Sequence, residues 1–452
     1  MEILAFVIGV VLMVVGLAVS IALHELGHLW PAKKFGVRVG QYMIGFGPTL
    51  WSRRFGETEY GFKAIPLGGY ISMAGMYPPS PALREEEQDA AHAAVVVPRA
   101  QGAAGGRAGR AGGGFFATMV QDARDANDQT LRGDDDTRVF YRLPVWKRVV
   151  VMLGGPLMNL LLAIVLFAIL FTGIGVQTAT TTVARLSDCV PADSTSQCSP
   201  DDPTTPAEAA GIQPGDTIVS IDGQAVADFA EASAIIRSSA GQQLTFVIER
   251  DGAEQTLQVT PATISSEVTA ADGTTSTEQV GFVGIGPTTE FVRQPIWAGP
   301  EMAIQNVGAV AGIIWQLPAK VWDTGVSLVT GGERDPNGPL SIVGAGRLSG
   351  EVAAADSPII NRIAGFLSLL ASLNIALFVF NLIPLLPLDG GHIAVALWEG
   401  IKRAWAKLFR RPPPQPVDAT KLVPVTFVVV VALIAMGAVL ILADLVNPIS
   451  LF

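Results

Sequence analysis

Four stretches of this 452-residue chain are apolar for long enough to cross a bilayer as helices: Ile3 to Leu23, Val149 to Val176, Ile363 to Ile383 and Leu422 to Val446. After the first of them Pro31 predicts a helix end, and Val37 to Ser72 reads as an apolar, β-rich segment with glycines at Gly45, Gly47, Gly68 and Gly69, placed to dip into the membrane. Between the second and third spans, β-like runs at Thr180–Arg185, Thr217–Ile221, Leu244–Arg250 and Thr256–Thr260 alternate with turn signals such as Pro214-Gly215-Asp216 and Asp251-Gly252. One amphipathic helix is predicted among them, over Phe229–Ser239. Trp297 to Gly331 is moderately apolar but is interrupted by Gly308, Gly312 and Pro318 and carries Lys320 and Asp323, so it predicts a helix lying on the membrane face and not a fifth span.

These patterns divide the chain into a first helix (1–30), a membrane-associated β-segment (31–76), an insert (77–144), a second helix (145–176) and a β-rich domain (177–292). A juxtamembrane amphipathic segment (293–358), a third helix (359–392), a basic loop (393–421) and a fourth helix with the C-terminus (422–452) follow. The insert combines acidic clusters with an Ala/Gly/Arg stretch and has too few large apolar residues for a core, which predicts a disordered linker.

Composition agrees with a membrane protein, since half of the residues are hydrophobic and mean hydropathy is +0.43. A net charge of −10 argues against nucleic acid as a partner. The distribution of charge sets the orientation. Residues 177–356 carry 22 acidic against 7 basic side chains, whereas Lys33, Lys34 and Arg38, then Arg142, Lys147 and Arg148, then Lys402, Arg403, Lys407, Arg410 and Arg411 flank the other loops. By the positive-inside rule both termini and the acidic domain lie outside, with 31–145 and 390–421 cytoplasmic. Met1-Glu2 offers no basic n-region and no small-residue cleavage site follows, so the first apolar stretch is retained as a span. The only cysteines, Cys189 and Cys198, fall in the outside domain, where they can form a disulfide or remain free thiols.

The end of the first span reads His24-Glu25-Leu-Gly-His28. The i,i+4 spacing puts both imidazoles on one helix face, where they can share one Zn²⁺, and leaves Glu25 beside the metal as a general base. Ionisable groups at membrane depth mark function more often than chance. The third span runs into Asn381-Leu-Ile-Pro-Leu-Leu-Pro-Leu-Asp389-Gly-Gly-His392, whose prolines and glycines predict an unwound helix end carrying Asp389 on irregular backbone. With four spans, the first and third run the same way, so both motifs reach the cytoplasmic leaflet. There His24, His28 and Asp389 can supply three ligands and leave a fourth position open. His392 is the alternative third ligand, and otherwise supports the ligands or lies at the interface; His92, in the insert, is incidental. A buried amide at Asn381 can hold a substrate carbonyl or a developing oxyanion, or make an interhelical hydrogen bond.

Taken in order, HELGH, GFGP (Gly45–Pro48), IPLGGY (Ile65–Tyr70), GGPLMN (Gly154–Asn159), AGIQPGDTIVSIDG (Ala210–Gly223), GPLSIVGAG (Gly338–Gly346) and NLIPLLPLDGGH (Asn381–His392) resemble the site-2 protease family, peptidase family M50. The likeness is to its bacterial branch, which carries a PDZ domain and cleaves anti-sigma factors, and the insert is the main departure. The resemblance implies a polytopic α-helical membrane protein with four transmembrane helices and an extracytoplasmic PDZ-like α/β domain, in the plasma membrane. It implies that His24, His28 and Asp389 bind zinc, that Glu25 activates water, and that Ile65, Pro66, Leu67, Gly68, Gly69 and Tyr70 receive an unwound substrate held also by Asn381. The substrates it implies are single-span membrane proteins, such as anti-sigma factors or signal-peptide remnants, already trimmed by an upstream site-1 type protease, with the PDZ-like domain as filter or docking site. A PDZ-containing membrane scaffold with a structural metal is the alternative; an open ligand position and a carboxylate beside the metal weigh against it.

Overall fold

The computed structural model describes residues 2–78, 120, 130, 136–191, 198, 202–269, 275–336, 338–412, 414, 417 and 419–449. Most of the insert, including His92, lies outside the described residues. In chain order the elements are α1 (Glu2–Lys34), β1 (Val39–Phe55), β2 (Thr58–Met73), α2 (Val145–Ala168, continued by a π-helical turn), β3 (Val176–Leu186), α3 (Pro206–Ala209), β4 (Thr217–Ile221), β5 (Gln224–Ala225) and α4 (Phe229–Ser238). Then come β6 (Leu244–Arg250), β7 (Ala253–Val259), β8 (Ala262–Thr269), β9 (Thr275–Phe282), β10 (Ile285–Val292), α5 (Ala298–Thr330), α6 (Ile342–Ala354), α7 (Ile359–Asn381), α8 (Asp389–Leu408) and α9 (Val423–Val446). They form two compact units, Met1–Leu170 with Ile296–Phe452, and Phe171–Pro295.

Four helices of the first unit are long and apolar enough to cross a membrane: Glu2–Lys34, Val145–Ile174, Ile359–Asn381 and Thr420–Val446. Their outer faces carry exposed side chains such as Val11, Leu161, Val428 and Ile434, an apolar surface that only lipid covers without cost. The chain is therefore a multi-pass membrane protein with a β-rich domain. Small residues bring α1 and α2 together, since a Cβ on either Gly27 or Gly154 would collide with the other's backbone carbonyl. Polar groups join the helices elsewhere. Asn374 of α7 donates to Ser20 of α1 at 3.0 Å, and the buried pair Arg148–Glu399, at 2.8 Å, ties α2 to α8.

Three local expectations are corrected. Pro31 does not end α1, which continues to Lys34; the proline removes one amide donor near the helix end, and the next turn closes through the Phe35 N–H to Pro31 O bond at 2.9 Å. Asp389 is not on irregular backbone. The third span stops at Asn381, the prolines occupy the connecting turn, and Asp389 opens α8, with Gly390 and Gly391 packed so closely on that turn that no side chain would fit. The region expected as a basic loop is mostly this 20-residue helix, because its apolar residues recur at helical spacing and bury Ala396, Glu399 and Ala406 against the first unit. The segment carrying Gly308, Gly312 and Pro318 is a helix, as expected: α5 runs through all three, packs on α2, α7 and α9, and is not among the helices apolar enough to cross a membrane.

The hairpin of β1 and β2 is folded back on itself. Met43 pairs with Tyr70 on one side and Gly61 on the other, and Gly61 also pairs with Ser52, so four strand segments lie in the order 69–73, 41–44, 59–62 and 51–55. The outer edge of residues 65–70 has no strand partner among the described residues.

In the second unit a sheet ordered β10-β3-β4-β6-β7, with β5 on β4, packs Ile218, Ile221, Phe246 and Ile248 against Ala232 and Ile236 of α4. Asp228 caps α4 by accepting from the Glu231 amide at 2.9 Å. The strands and helix predicted from alternation and turn residues here occur within a few residues of their expected limits, and Cys189 and Cys198 are joined by a disulfide. Asp216 is buried, and its carboxylate accepts two bonds from Arg250 at 2.7 Å and one from the Gln213 amide at 2.8 Å. The Arg250 guanidinium holds its carboxyl below the usual carboxylate range, against the opposing effect of burial. Its contribution to stability is full above the unfolded value of about 3.9 and is lost as pH falls through the lower folded value. Asp216→Asn should cost about 2 kcal/mol at neutral pH, read as faster amide exchange in β4 and β6 of the full-length protein. That difference should shrink below about pH 4; an equal difference at pH 7 and pH 3 would remove the ion pair from the account.

Candidate active site

Helical spacing on α1 brings the His24 and His28 rings to 4.8 Å between centroids, and the glycines of α2 make room for them. A Cβ at Gly155 would strike the His28 imidazole. His28 Nδ1 faces Val151 O at 2.8 Å; a carbonyl only accepts, so Nδ1 carries the proton and Nε2 presents a lone pair. The first turn of α8 then delivers Asp389. Its Oδ2 lies 3.2 Å from His24 Nε2 and 3.3 Å from His28 Nε2, and the two Nε2 atoms are 3.2 Å apart.

Three acceptor atoms do not approach one another in this way without a cation or a shared proton. Zinc bonds of about 2.0–2.1 Å in a tetrahedron separate neighbouring ligand atoms by about 3.3 Å, close to each side of this triangle. The Asp389 Oδ2 is buried and accepts no hydrogen bond, so the donor set fits Zn²⁺ on both geometry and chemistry. Among the described residues these three form the one group of potential metal ligands.

The sequence-marked residues separate here. Glu25 is buried beside the triad, while His392 lies one turn along α8 and stacks on Tyr77 at 6.2 Å between centroids. Asn381 ends α7, donates to Leu377 O at 3.0 Å, and lines a cavity of about 330 Å³ together with His24 and Glu25. Of the six strand residues, Gly68 and Gly69 line that cavity. A Cβ on Gly69 would come within 3.0 Å of both Glu25 Cγ and Ile21, so the strand edge crosses the site only because it lacks side chains there. Ile65 is half exposed, Pro66 lies between them on the edge, Tyr70 donates to Gln41 at 3.1 Å, and the Leu67 side chain lies outside the described residues. Cys189 and Cys198 belong to the other unit.

Asn159 is a site residue that the sequence reading left without a role. Its amide lies 3.3 Å from His24 Nδ1, with Nδ2 turned toward the ring and Oδ1 buried without a partner. Reversing the amide satisfies both groups: Oδ1 accepts from His24 Nδ1–H and Nε2 is left to face Asp389. The available signal was a polar amide in the middle of an apolar span, one turn after Gly155.

The model of the family described as Peptidase family M50 matches residues 12–411. The chain is 35% identical over 464 residues to the zinc metalloprotease Rip1 of Mycobacterium tuberculosis and 33% identical over 468 residues to that of Mycolicibacterium smegmatis, with 99% of each chain covered in both cases. It is 27% identical over 417 residues to the metalloprotease MmpA of Caulobacter vibrioides, covering 88% of each. The chain belongs to peptidase family M50. Family membership, with the metal-binding geometry above, agrees with the expected site-2 protease relationship. Because the Asn159 amide faces the His24 imidazole of the candidate metal site, Asn159→Ala should weaken zinc binding about 10- to 100-fold in a competitive chelator titration, with the helices intact by circular dichroism. Unchanged affinity would reduce Asn159 to packing.

Proposed function

We propose that this zinc metalloendopeptidase hydrolyses peptide bonds in or near the transmembrane segments of single-span membrane proteins. The observation that carries this reading is the triad of His24, His28 and Asp389, closed to about 3.2 Å between the apolar helix α1 and the start of α8, beside a cavity lined by His24, Glu25 and a strand edge. In this reading those three side chains hold the metal, and His392 with Tyr77 supports the turn behind Asp389. Zinc bound there supplies Lewis-acid polarisation of the scissile carbonyl and acidifies water. Glu25 takes the proton from the attacking water and returns it to the leaving amide nitrogen. Asn381 sits across the cavity, where its amide can hold a substrate carbonyl. A helical substrate hides its peptide bonds, so it must become extended before attack; pairing with the free edge at Ile65–Tyr70 offsets the backbone hydrogen bonds it gives up.

Charge asymmetry supports an orientation with both termini and the β-rich domain outside and the triad near the cytoplasmic leaflet. The order of strands around α4 supports the PDZ-like assignment, and an outside domain of that kind suits a filter for substrates trimmed by an upstream protease. Anti-sigma factors and signal-peptide remnants are the candidate substrates.

Glu25→Gln should retain stoichiometric zinc yet cut a single-span substrate at least about 100-fold more slowly; a variant of undiminished rate would sink the mechanism. In intact cells, with Cys189 and Cys198 replaced, a cysteine introduced in place of Glu254 should react with a membrane-impermeant thiol reagent and one in place of Lys402 should not. The reverse pattern would invert the topology.

A further inference from the structure

Beyond its polar end, the active-site cavity has an apolar end that the chemistry above leaves unused. Ile21 and Leu17 continue the His24 face of α1 by one and two turns, and Leu377 lies one turn before Asn381 on α7. The fourth wall is Ile342, the first residue of α6, which comes from the GPLSIVGAG segment far along the chain. No charged group lines this end.

Ile342 is held in place by buried polar groups that take no part in hydrolysis. Asp444 of α9 accepts from the Ser341 amide at 2.7 Å and the Gly344 amide at 3.2 Å, on either side of Ile342. Arg334 donates to Asp444 at 2.6 Å and to Pro339 O at 2.6 Å, and both partners of the ion pair are almost fully buried. Farther along α6, Ser349 donates to Gly9 O of α1 at 2.9 Å, and a Cβ at Gly9 or Gly350 would clash with the facing helix. The contacts fix α6 against α1 and α9. The backbone that carries Ile342 cannot shift away from a bulky ligand without breaking its bonds to the buried, ion-paired Asp444.

We infer that this apolar end is a subsite for one aliphatic side chain of the substrate next to the scissile bond, and that Ile342 sets the size it accepts. This rests on the proposed function, and it names the class of substrate residue that the site selects. An extended chain lying along the Gly68–Gly69 edge directs alternate side chains to opposite faces, and the glycines leave nothing between the substrate and the cavity floor. Leucine-sized side chains fill such a space; an aromatic ring meets Ile342.

The test uses the full-length, zinc-loaded protein in detergent with Ile342→Ala, Ile342→Phe and, as an independent probe of the opposite wall, Leu377→Ala. Two series are compared: peptide hydroxamates bearing Ala, Leu or Phe beside the chelating group, read as dissociation constants, and single-span peptides varied likewise at the cut position, read as product masses and rates. Ile342→Ala and Leu377→Ala should raise the preference for Phe over Ala about tenfold, and Ile342→Phe should lower the preference for Leu over Ala by a similar factor, with zinc content unchanged. Preferences within twofold of the parent in every variant would overturn the subsite while leaving the membrane-substrate reading intact. Hydroxamates ranked as expected by a protein that cuts none of the single-span peptides would have the opposite meaning.

Discussion

A carboxylate oxygen held 3.2–3.3 Å from two imidazole nitrogens, among helices whose outer surfaces are apolar, is the constraint on which the rest of the structure depends. Lipid offers no water to solvate such a group, and a cation at the centre of the triangle would stabilise it. Close backbone packing of α1, α2 and α8 keeps those three atoms together. Gly27 and Gly154 let α1 and α2 touch at the backbone, Gly155 admits the His28 ring, and Gly390 and Gly391 press the start of α8 onto the preceding turn. Larger residues at these places would move a ligand by more than the tolerance of a zinc site, which is a few tenths of an ångström.

Several buried polar groups of the helical unit are paired across helices. Asn374 meets Ser20, Arg148 meets Glu399, and Arg334 meets Asp444. The last two hold helices that carry site residues: Glu399 lies in the middle of α8, which begins at Asp389, and Asp444 packs against the start of α6, which begins at Ile342. Buried pairs of this kind add little net stability, but removing one partner strands a charge, so they specify one arrangement strongly. Position, more than stability, is what these pairs contribute to the site.

The strand edge meets the site by a complementary device. Hydrogen bonding on β1 holds the 65–70 segment on one side and leaves its other side without a strand partner among the described residues, while Gly69, bare of a side chain, lets the backbone lie against Glu25. A reaction that requires an extended backbone in an environment favouring helices gains from a template that donates and accepts main-chain hydrogen bonds.

Features carried by local periodicity were legible in the sequence. Long apolar runs predict spans because helix length must match the bilayer, and the i,i+4 histidines predict a shared face because 3.6 residues complete a turn. In the β-rich domain, alternation and turn residues at Thr217–Ile221 and Leu244–Arg250 gave strand limits that match the structure. Asp389 was legible as a third metal-binding candidate because a carboxylate at membrane depth needs a partner, although its place at the start of a helix was not. The continuity of α5 through Pro318, the docking of α8, the amide of Asn159 on His24 and the arrival of Ile342 in the cavity were decided only by the tertiary structure. Each depends on contact between residues far apart in the chain, where the energy comes from close packing and from pairing buried polar groups, and neither leaves a local pattern to read.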